Sequence, residues 1–63
     1  TAGSEGMLGA TAIIEDWDGK TGRVMVHGEL WQAFSEREHN FSKGDSVIVS
    51  ETHELKLKIR LKD

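Results

Sequence analysis

The sequence predicts an all-β fold, a small five-stranded barrel of the OB type. Five short segments either alternate apolar with polar residues or are rich in β-branched residues, and turn-forming residues separate them. Proline is absent, and no segment has the length and period of an ordinary helix. With 63 residues and no cysteine, the chain forms one domain held by packing and hydrogen bonds, because disulfides and thiolate metal sites are excluded.

The first three predicted strands form a meander. Residues 9–15 are an apolar, partly β-branched run, and residues 16–22 hold two aspartates and two glycines, which is typical of a turn. Residues 23–27 and 30–34 are then joined by a tight reversal at Gly28 and Glu29. In the third strand Trp31 shares a face with Ala33, so we expect Trp31 to fill the barrel interior.

The segment from residue 35 to residue 43 is polar except for Phe41. Ser35 lies three residues before Glu38, as in a helix capping box, so the segment is either a single helical turn or an ordered loop. We expect Phe41 to close the bottom of the barrel.

The last two strands are the most regular. Residues 46–50 are β-branched, and residues 55–62 alternate apolar and cationic side chains without interruption. This period of two predicts four apolar residues facing the core and four cations facing water. The apolar set is Leu55, Leu57, Ile59 and Leu61, and the cations are Lys56, Lys58, Arg60 and Lys62.

Closing five short strands into a barrel removes the exposed edges that an open sheet would leave. Three meandering strands, a variable connector and a final hairpin favour the OB order, while an SH3-like barrel remains the competing topology. We assign residues 1–7 to a linker or entry segment and residues 8–63 to the barrel domain. The start lacks both an initiator Met and the features of a signal peptide, which indicates a piece of a longer protein.

The charge is unevenly distributed along the chain. The total is -3, but residues 1–55 hold 10 acidic and 4 basic groups, whereas residues 56–62 hold four cations and no acid. The acidic total opposes a nucleic-acid binder that depends on phosphate contacts. The cationic strand is either a surface for an acidic partner or anionic lipid headgroups, or a solvated face whose lysines discourage edge pairing.

No catalytic, cofactor or metal site is predicted. The five serines and three histidines form no nucleophile motif, and Asp16, Asp18 and Gly19 read as a turn because the rest of a calcium loop is missing. A candidate metal cluster of acidic residues and histidines lacks the spacing of a zinc site, so we interpret it as part of solvent-exposed loops. That group consists of Glu36, Glu38, His39, Glu51, His53 and Glu54.

The candidate partner-binding residues are Trp17, Lys56, Lys58 and Arg60. Trp17 lies in the predicted turn between two aspartates. It is either an exposed contact residue, of the type favoured at binding hot spots, or a ring folded back over the barrel mouth.

Three segments together resemble the C-terminal soluble domain of the NfeD family, membrane proteins associated with stomatin-like and flotillin-like partners. They are the glycine-rich lead of residues 3–9, the hairpin of residues 22–33 with its Gly-x-Val-x-Val-x-Gly-Glu-x-Trp-x-Ala pattern, and the closing hairpin of residues 43–49 and 55–59. The polar stretch 36–42 departs from the family by being longer than a minimal connector.

The resemblance implies an OB-fold module without catalysis or a cofactor. It implies protein–protein interaction with a stomatin-like or flotillin-like protein in a membrane-associated complex, and regulation of membrane protease activity. A transmembrane segment outside this chain would tether the module, with the cytoplasmic side favoured. The alternative is a single-stranded nucleic-acid-binding OB domain, although the last strand lacks the interleaved aromatic residues that stack on bases.

Overall fold

The computed structural model describes residues 7–62, and within that range the regular elements are five strands. They are β1 (Thr11–Asp18), β2 (Thr21–Val26), β3 (Glu29–Phe34), β4 (Ser46–His53) and β5 (Lys56–Leu61). Residues 1–6 of the predicted entry segment lie outside the described residues. Met7, the last residue of that segment, is buried at 3% exposure and packs in the core.

The strands form a closed barrel in the order β1-β2-β3-β5-β4. Antiparallel pairs join β1 to β2, β2 to β3, β4 to β5, and β1 to β4, whereas β3 and β5 pair in parallel. The parallel pair joins strands that are not consecutive, so the connector between β3 and β4 crosses to the other side of β5. This order confirms the OB-type barrel and removes the SH3-like alternative, because the barrel closes through β1 and β4.

Two strands carry a bulge that helps the short sheet to close. The pairing register shifts between Ile14 and Asp16 in β1, and between Val49 and Glu51 in β4. An extra residue on one strand bends it and increases its twist, which a five-stranded barrel requires. At the second bulge the Ser50 hydroxyl donates to the carbonyl oxygen of Lys58 at 3.1 Å, which fixes the bulge against β5.

Alternate positions of all five strands fill the barrel, as the period of two predicts. Two larger rings of the core region, Trp31 and Phe41, are half-buried and pack against the buried side chains. Trp31 therefore borders the core instead of filling the barrel interior as predicted, and the closure of the barrel bottom by Phe41 stays a prediction. The buried apolar residues are Met7, Ala12, Ile14, Val24, Val26, Ala33, Val47, Val49, Leu57 and Ile59.

The first hairpin differs from the predicted turn over residues 16–22. β1 continues to Asp18, and Gly19 and Lys20 make the reversal, with Gly19 at a φ of 67°. Gly22 lies within β2, opposite Trp17. A Cβ at Gly22 would lie 2.3 Å from the carbonyl oxygen of Asp16, so this glycine permits a close backbone approach rather than a turn.

The second hairpin reverses one residue earlier than predicted. His27 and Gly28 occupy the turn at φ angles of 53° and 81°, and β3 begins at Glu29. Two consecutive positive φ angles in a two-residue loop match a type I′ turn, whose twist suits the flanking strands. His27 therefore leaves the strand to which the alternation assigned it.

The prediction for the last strand was wrong at both ends. Leu57 and Ile59 are buried, but Leu55 is 78% exposed in the turn before β5, and Leu61 is 55% exposed at its end. Alternation fixes the side of the strand on which a residue lies, but the barrel is deep enough to bury only the two central positions. β4 also extends to His53, beyond the predicted end at residue 50, because it pairs with β5 along its length.

The connector between β3 and β4 is an ordered loop without a helical turn. Ser35 is buried, and its hydroxyl donates to the carbonyl oxygen of Arg37 instead of capping a helix. The backbone N–H of Ser35 donates to the carbonyl oxygen of Lys20 at 2.9 Å. The backbone N–H of His39 donates to the carbonyl oxygen of Gly19, also at 2.9 Å. The connector is thus anchored on the first hairpin.

Candidate partner-binding surface

The predicted cationic residues lie on the outer face of β5, but their side chains are not equally exposed. Lys58 is only 20% exposed, and its ammonium lies 3.2 Å from a carboxylate oxygen of Glu36 and 3.7 Å from one of Glu51. The hydrogen bond that the Lys58 ammonium donates to the Glu36 carboxylate raises the pKa of Lys58. The expectation of four water-facing cations is therefore wrong at Lys58, which ties the connector to β4 and β5, while Lys56 and Arg60 are exposed.

A cleft of about 490 Å³ separates the connector from the outer face of β4 and β5. Its lining mixes acids and cations and includes the carboxylates that pair with Lys58. This internal pairing leaves no uniform field for an anionic partner. The lining residues are Ser35, Glu36, Arg37, His39, Ser50, Glu51, Lys58, Ile59, Arg60 and Leu61.

Trp17 folds over the core at the end of β1. Its indole N–H donates to the carbonyl oxygen of Gly19 at 2.7 Å, and its ring meets Phe41 edge-on at 5.1 Å between centroids. His39 stacks on the other side of this cluster, 4.7 Å from Phe41. Trp17 is half-buried and does not line the cleft beside Lys58. A partner contact at Trp17 stays a prediction.

The outer face of β2 and β3 holds a shallow groove of about 350 Å³. Arg23 in this groove donates to Asp16 through Nε at 2.9 Å and Nη2 at 2.5 Å, which lowers the pKa of Asp16 and raises that of Arg23. Phe34 is the aromatic residue of the groove, and its ring lies 5.5 Å from that of His53. A paired arginine and one ring form a poor platform for stacked bases.

Sequence reasoning missed an apolar surface on the outside of the barrel. Ile13 pairs with Met25, and Met25 pairs with Leu30, so the three form a row across β1, β2 and β3. Ile13 is 39% exposed, Leu30 is 49% exposed and Met25 is half-buried. Together with the exposed Leu55, these three residues form the apolar surface of the barrel.

A signal for this surface is present in the sequence. Neighbouring residues of a strand point to opposite faces, so two consecutive apolar residues cannot both enter the core. The runs Ile13-Ile14, Val24-Met25-Val26 and Leu30-Trp31 each break the alternation in this way. One member of each run must therefore lie outside the barrel.

The described residues form neither a metal site nor a membrane-spanning helix. Among residues 7–62, no group of three or more histidine, aspartate or glutamate side chains could hold a metal ion. The same residues contain no helix with the length and hydropathy needed to cross a membrane.

A small closed barrel with an exposed apolar row and mixed surface charge belongs to the class of binding modules. Residues 4–60 match the family described as the NfeD-like C-terminal, partner-binding domain. The chain belongs to this family, which confirms the resemblance, and it is a partner-binding domain of the NfeD type.

Two solved structures share the fold. The C-terminal domain of stomatin operon partner protein 1510-C from Pyrococcus horikoshii is 28% identical, with a TM-score of 0.85 over 100% of this chain and 98% of that one. The soluble domain of a membrane protein implicated in regulation of membrane protease activity, from Corynebacterium glutamicum, is 24% identical, with a TM-score of 0.80. That match covers 95% of this chain and 98% of the other, and shows the fold alone. No curated protein matches the chain.

Proposed function

We propose that the chain is a non-catalytic module that binds a stomatin-like or flotillin-like membrane protein. The observation that carries the proposal is the match of residues 4–60 to a partner-binding family. The likeness to the stomatin operon partner domain, over the whole of both chains, supports a stomatin-like protein as the first candidate.

The module would work beside a membrane, on the cytoplasmic side, tethered by a segment outside these 63 residues. In this position it would regulate a membrane protease through the assembly that it joins. The structural likeness to the soluble domain of the C. glutamicum membrane protein supports the barrel fold and not this role. The family's partner-binding role supports action through contact rather than chemistry.

The apolar surface is the part of the barrel best suited to the contact. Exposed Leu30 and Leu55 would form its centre, since buried apolar anchors contribute most of the free energy of an interface. Lys56 follows Leu55 and would add an exposed cation at the border, where charge affects the association rate more than the affinity. Trp17 and Arg60 would contribute at a distance from this centre, and Lys58 would position the connector.

The test uses the whole 63-residue chain, immobilised, with a purified stomatin-like protein and a flotillin-like protein from the same source. We expect one of the two to be retained above the level seen with an unrelated OB barrel of similar net charge. Retention of neither protein refutes the proposed partner class.

A separate binding titration tests the alternative function, binding of single-stranded nucleic acid. A labelled single-stranded oligonucleotide is added to the chain at low salt and again at higher salt. We expect no tight binding, because Arg23 is already paired with Asp16. Tight binding that weakens steeply with salt would replace the proposed function.

A further inference from the structure

One stretch of the closed barrel keeps an unpaired strand edge. β3 pairs with β2 along its whole length, from Glu29 to Phe34. On its other side β3 pairs with β5 only from Gln32 onward, where Gln32 lies opposite Lys56. On the side that faces β5, the first three residues of β3 therefore have no pairing strand among the described residues.

The backbone of Leu30 is directed toward this edge. The two-residue turn makes Val26 and Glu29 the first hydrogen-bonded pair of the hairpin, and such pairs alternate along an antiparallel ladder. Leu30 is thus in a non-hydrogen-bonded pair with Met25, and its N–H and C=O point away from β2. They form a donor and an acceptor in the arrangement that an added strand uses.

The edge opens into a groove of about 370 Å³. Its apolar lining consists of Leu30 and Leu55, with exposures of 49% and 78%, and the half-buried Trp31. An apolar side chain placed beside Leu30 would extend the row of Ile13, Met25 and Leu30 by one more strand.

The corresponding edge of β5 is treated differently. Its last residues, Ile59 to Leu61, also extend beyond the pairing with β3, but the connector lies across the cleft from them. Proteins usually cover or charge such edges, because open ones recruit other chains. In the part of the chain that the structure describes, no comparable segment lines the groove beside Leu30.

Charge selects the occupant. Glu29 is the charged residue of the groove lining, Glu54 precedes Leu55, and Lys56, opposite Gln32, borders the groove without lining it. A second copy of the chain would bring its own Glu29 and a net charge of -3 to the same place. An edge of three residues also offers little of the extended surface that a stable protein pair buries, which is roughly 1,200 Å² or more in total.

We propose, resting on the partner-binding function above, that a short extended segment of the partner protein adds to β3 at Leu30. An apolar residue of that segment packs between Leu30 and Leu55, and an adjacent lysine or arginine faces Glu29. The backbone bonds to Leu30 give the segment its direction, and the acid selects its charge.

The probe is the acetylated and amidated peptide Lys-Val-Leu-Val-Lys, titrated into the isotope-labelled 63-residue chain and followed by nuclear magnetic resonance. We expect amide shifts at Leu30, Trp31 and Leu55. Two matched peptides carry backbone N-methyl groups, one on leucine and one on both valines. At least one of them must lose binding if main-chain bonds form; unchanged binding by both overturns strand addition.

A charge swap tests the selection of a basic segment. The peptide Glu-Val-Leu-Val-Glu should bind about two- to fivefold more weakly, the range expected for one exposed ion pair. In Glu29→Lys the preference should reverse. An acidic peptide that binds wild type as well as the basic one overturns the charge assignment.

The partner assay separates this site from the proposed function. Leu30→Asp and Leu55→Asp should lose retention of the stomatin-like protein, whereas Leu61→Asp, the same change on an exposed leucine at the far end of β5, should keep it. Retention by all three variants overturns the docking site at Leu30 and Leu55 but leaves the proposed partner class intact. If the wild-type chain itself does not retain the stomatin-like protein, the proposed partner is refuted. The peptide titration then still tests whether a strand adds at Leu30.

Two controls complete the test. A thermal melt checks that each variant is folded. Leu55→Asp remains informative if Leu30→Asp does not fold, because Leu55 lies exposed in a turn. Sedimentation equilibrium tests the other occupant: a dimer of wild type that Leu30→Asp dissociates would assign the edge to a second copy and overturn the hetero-partner.

Discussion

Three leucines of one strand region provide a graded test of the barrel core. Leu57 is fully buried, Leu61 is 55% exposed and Leu55 is 78% exposed. Replacing leucine by alanine removes three carbon groups, worth about 2.4 kcal/mol of transfer free energy when fully buried, at about 0.8 each. At Leu57 the cavity left behind brings the loss to about 2–5 kcal/mol.

The other two changes should cost much less, because water already reaches the side chains. Scaling the transfer free energy by the buried fraction gives about 1 kcal/mol for Leu61→Ala and about 0.5 kcal/mol for Leu55→Ala. A 63-residue domain has a total stability of about 3–9 kcal/mol, so Leu57→Ala removes much of it.

Urea unfolding followed by circular dichroism measures all three variants. Ile59→Val, at a buried position of the same strand, should cost about 0.5–1.5 kcal/mol and keeps the series measurable if Leu57→Ala is unfolded. Equal losses at Leu55 and Leu57 would refute the difference in depth that the barrel imposes on alternate residues.

Three further changes test separate contacts. Gly22→Ala should cost about 1–3 kcal/mol in a urea titration, because its Cβ would meet the backbone of Asp16, and an unchanged midpoint would contradict that close approach. Asp16→Asn removes a carboxylate whose pKa the Arg23 hydrogen bond lowers, so its contribution to stability is present at neutral pH and is lost as the pH falls below about 4. The gap in thermal midpoint between wild type and this variant should therefore narrow in acid, and a gap independent of pH would exclude the ion pair. Phe41→Ala should cost about 1–2 kcal/mol, less than a fully buried phenylalanine, and should shift tryptophan emission to the red as Trp17 loses its edge-on contact; unaltered emission would count against that packing.

Much of the fold follows from local pattern. The strict alternation around Leu57 and Ile59 assigns both to the core, and the structure buries both. The same alternation fails at Leu55 and Leu61, because period describes the side of a strand and carries no information about where the barrel ends. The boundary of the first hairpin was wrong because glycine is used both in turns and where two backbones approach closely. Gly22 serves the close approach, and the sequence pattern alone does not distinguish the two.

The candidate surface was less accessible to prediction than the fold. Lys58 looks like its neighbours in the sequence, yet Glu36 and Glu51 cover it from two other segments. The apolar row of Ile13, Met25 and Leu30 depends on the register between three strands, which no single segment defines.

The sequence by itself determined an all-β barrel, its NfeD-type family and the face of each central strand residue, because these depend on short-range alternation and on residues close in the chain. The tertiary structure decided the closing pairs of β1 with β4 and β3 with β5, the ion pairs of Lys58, and the open edge at Leu30. Those features arise from the length over which distant strands overlap. That length is set by bulges and barrel closure rather than by the local preferences of any one strand.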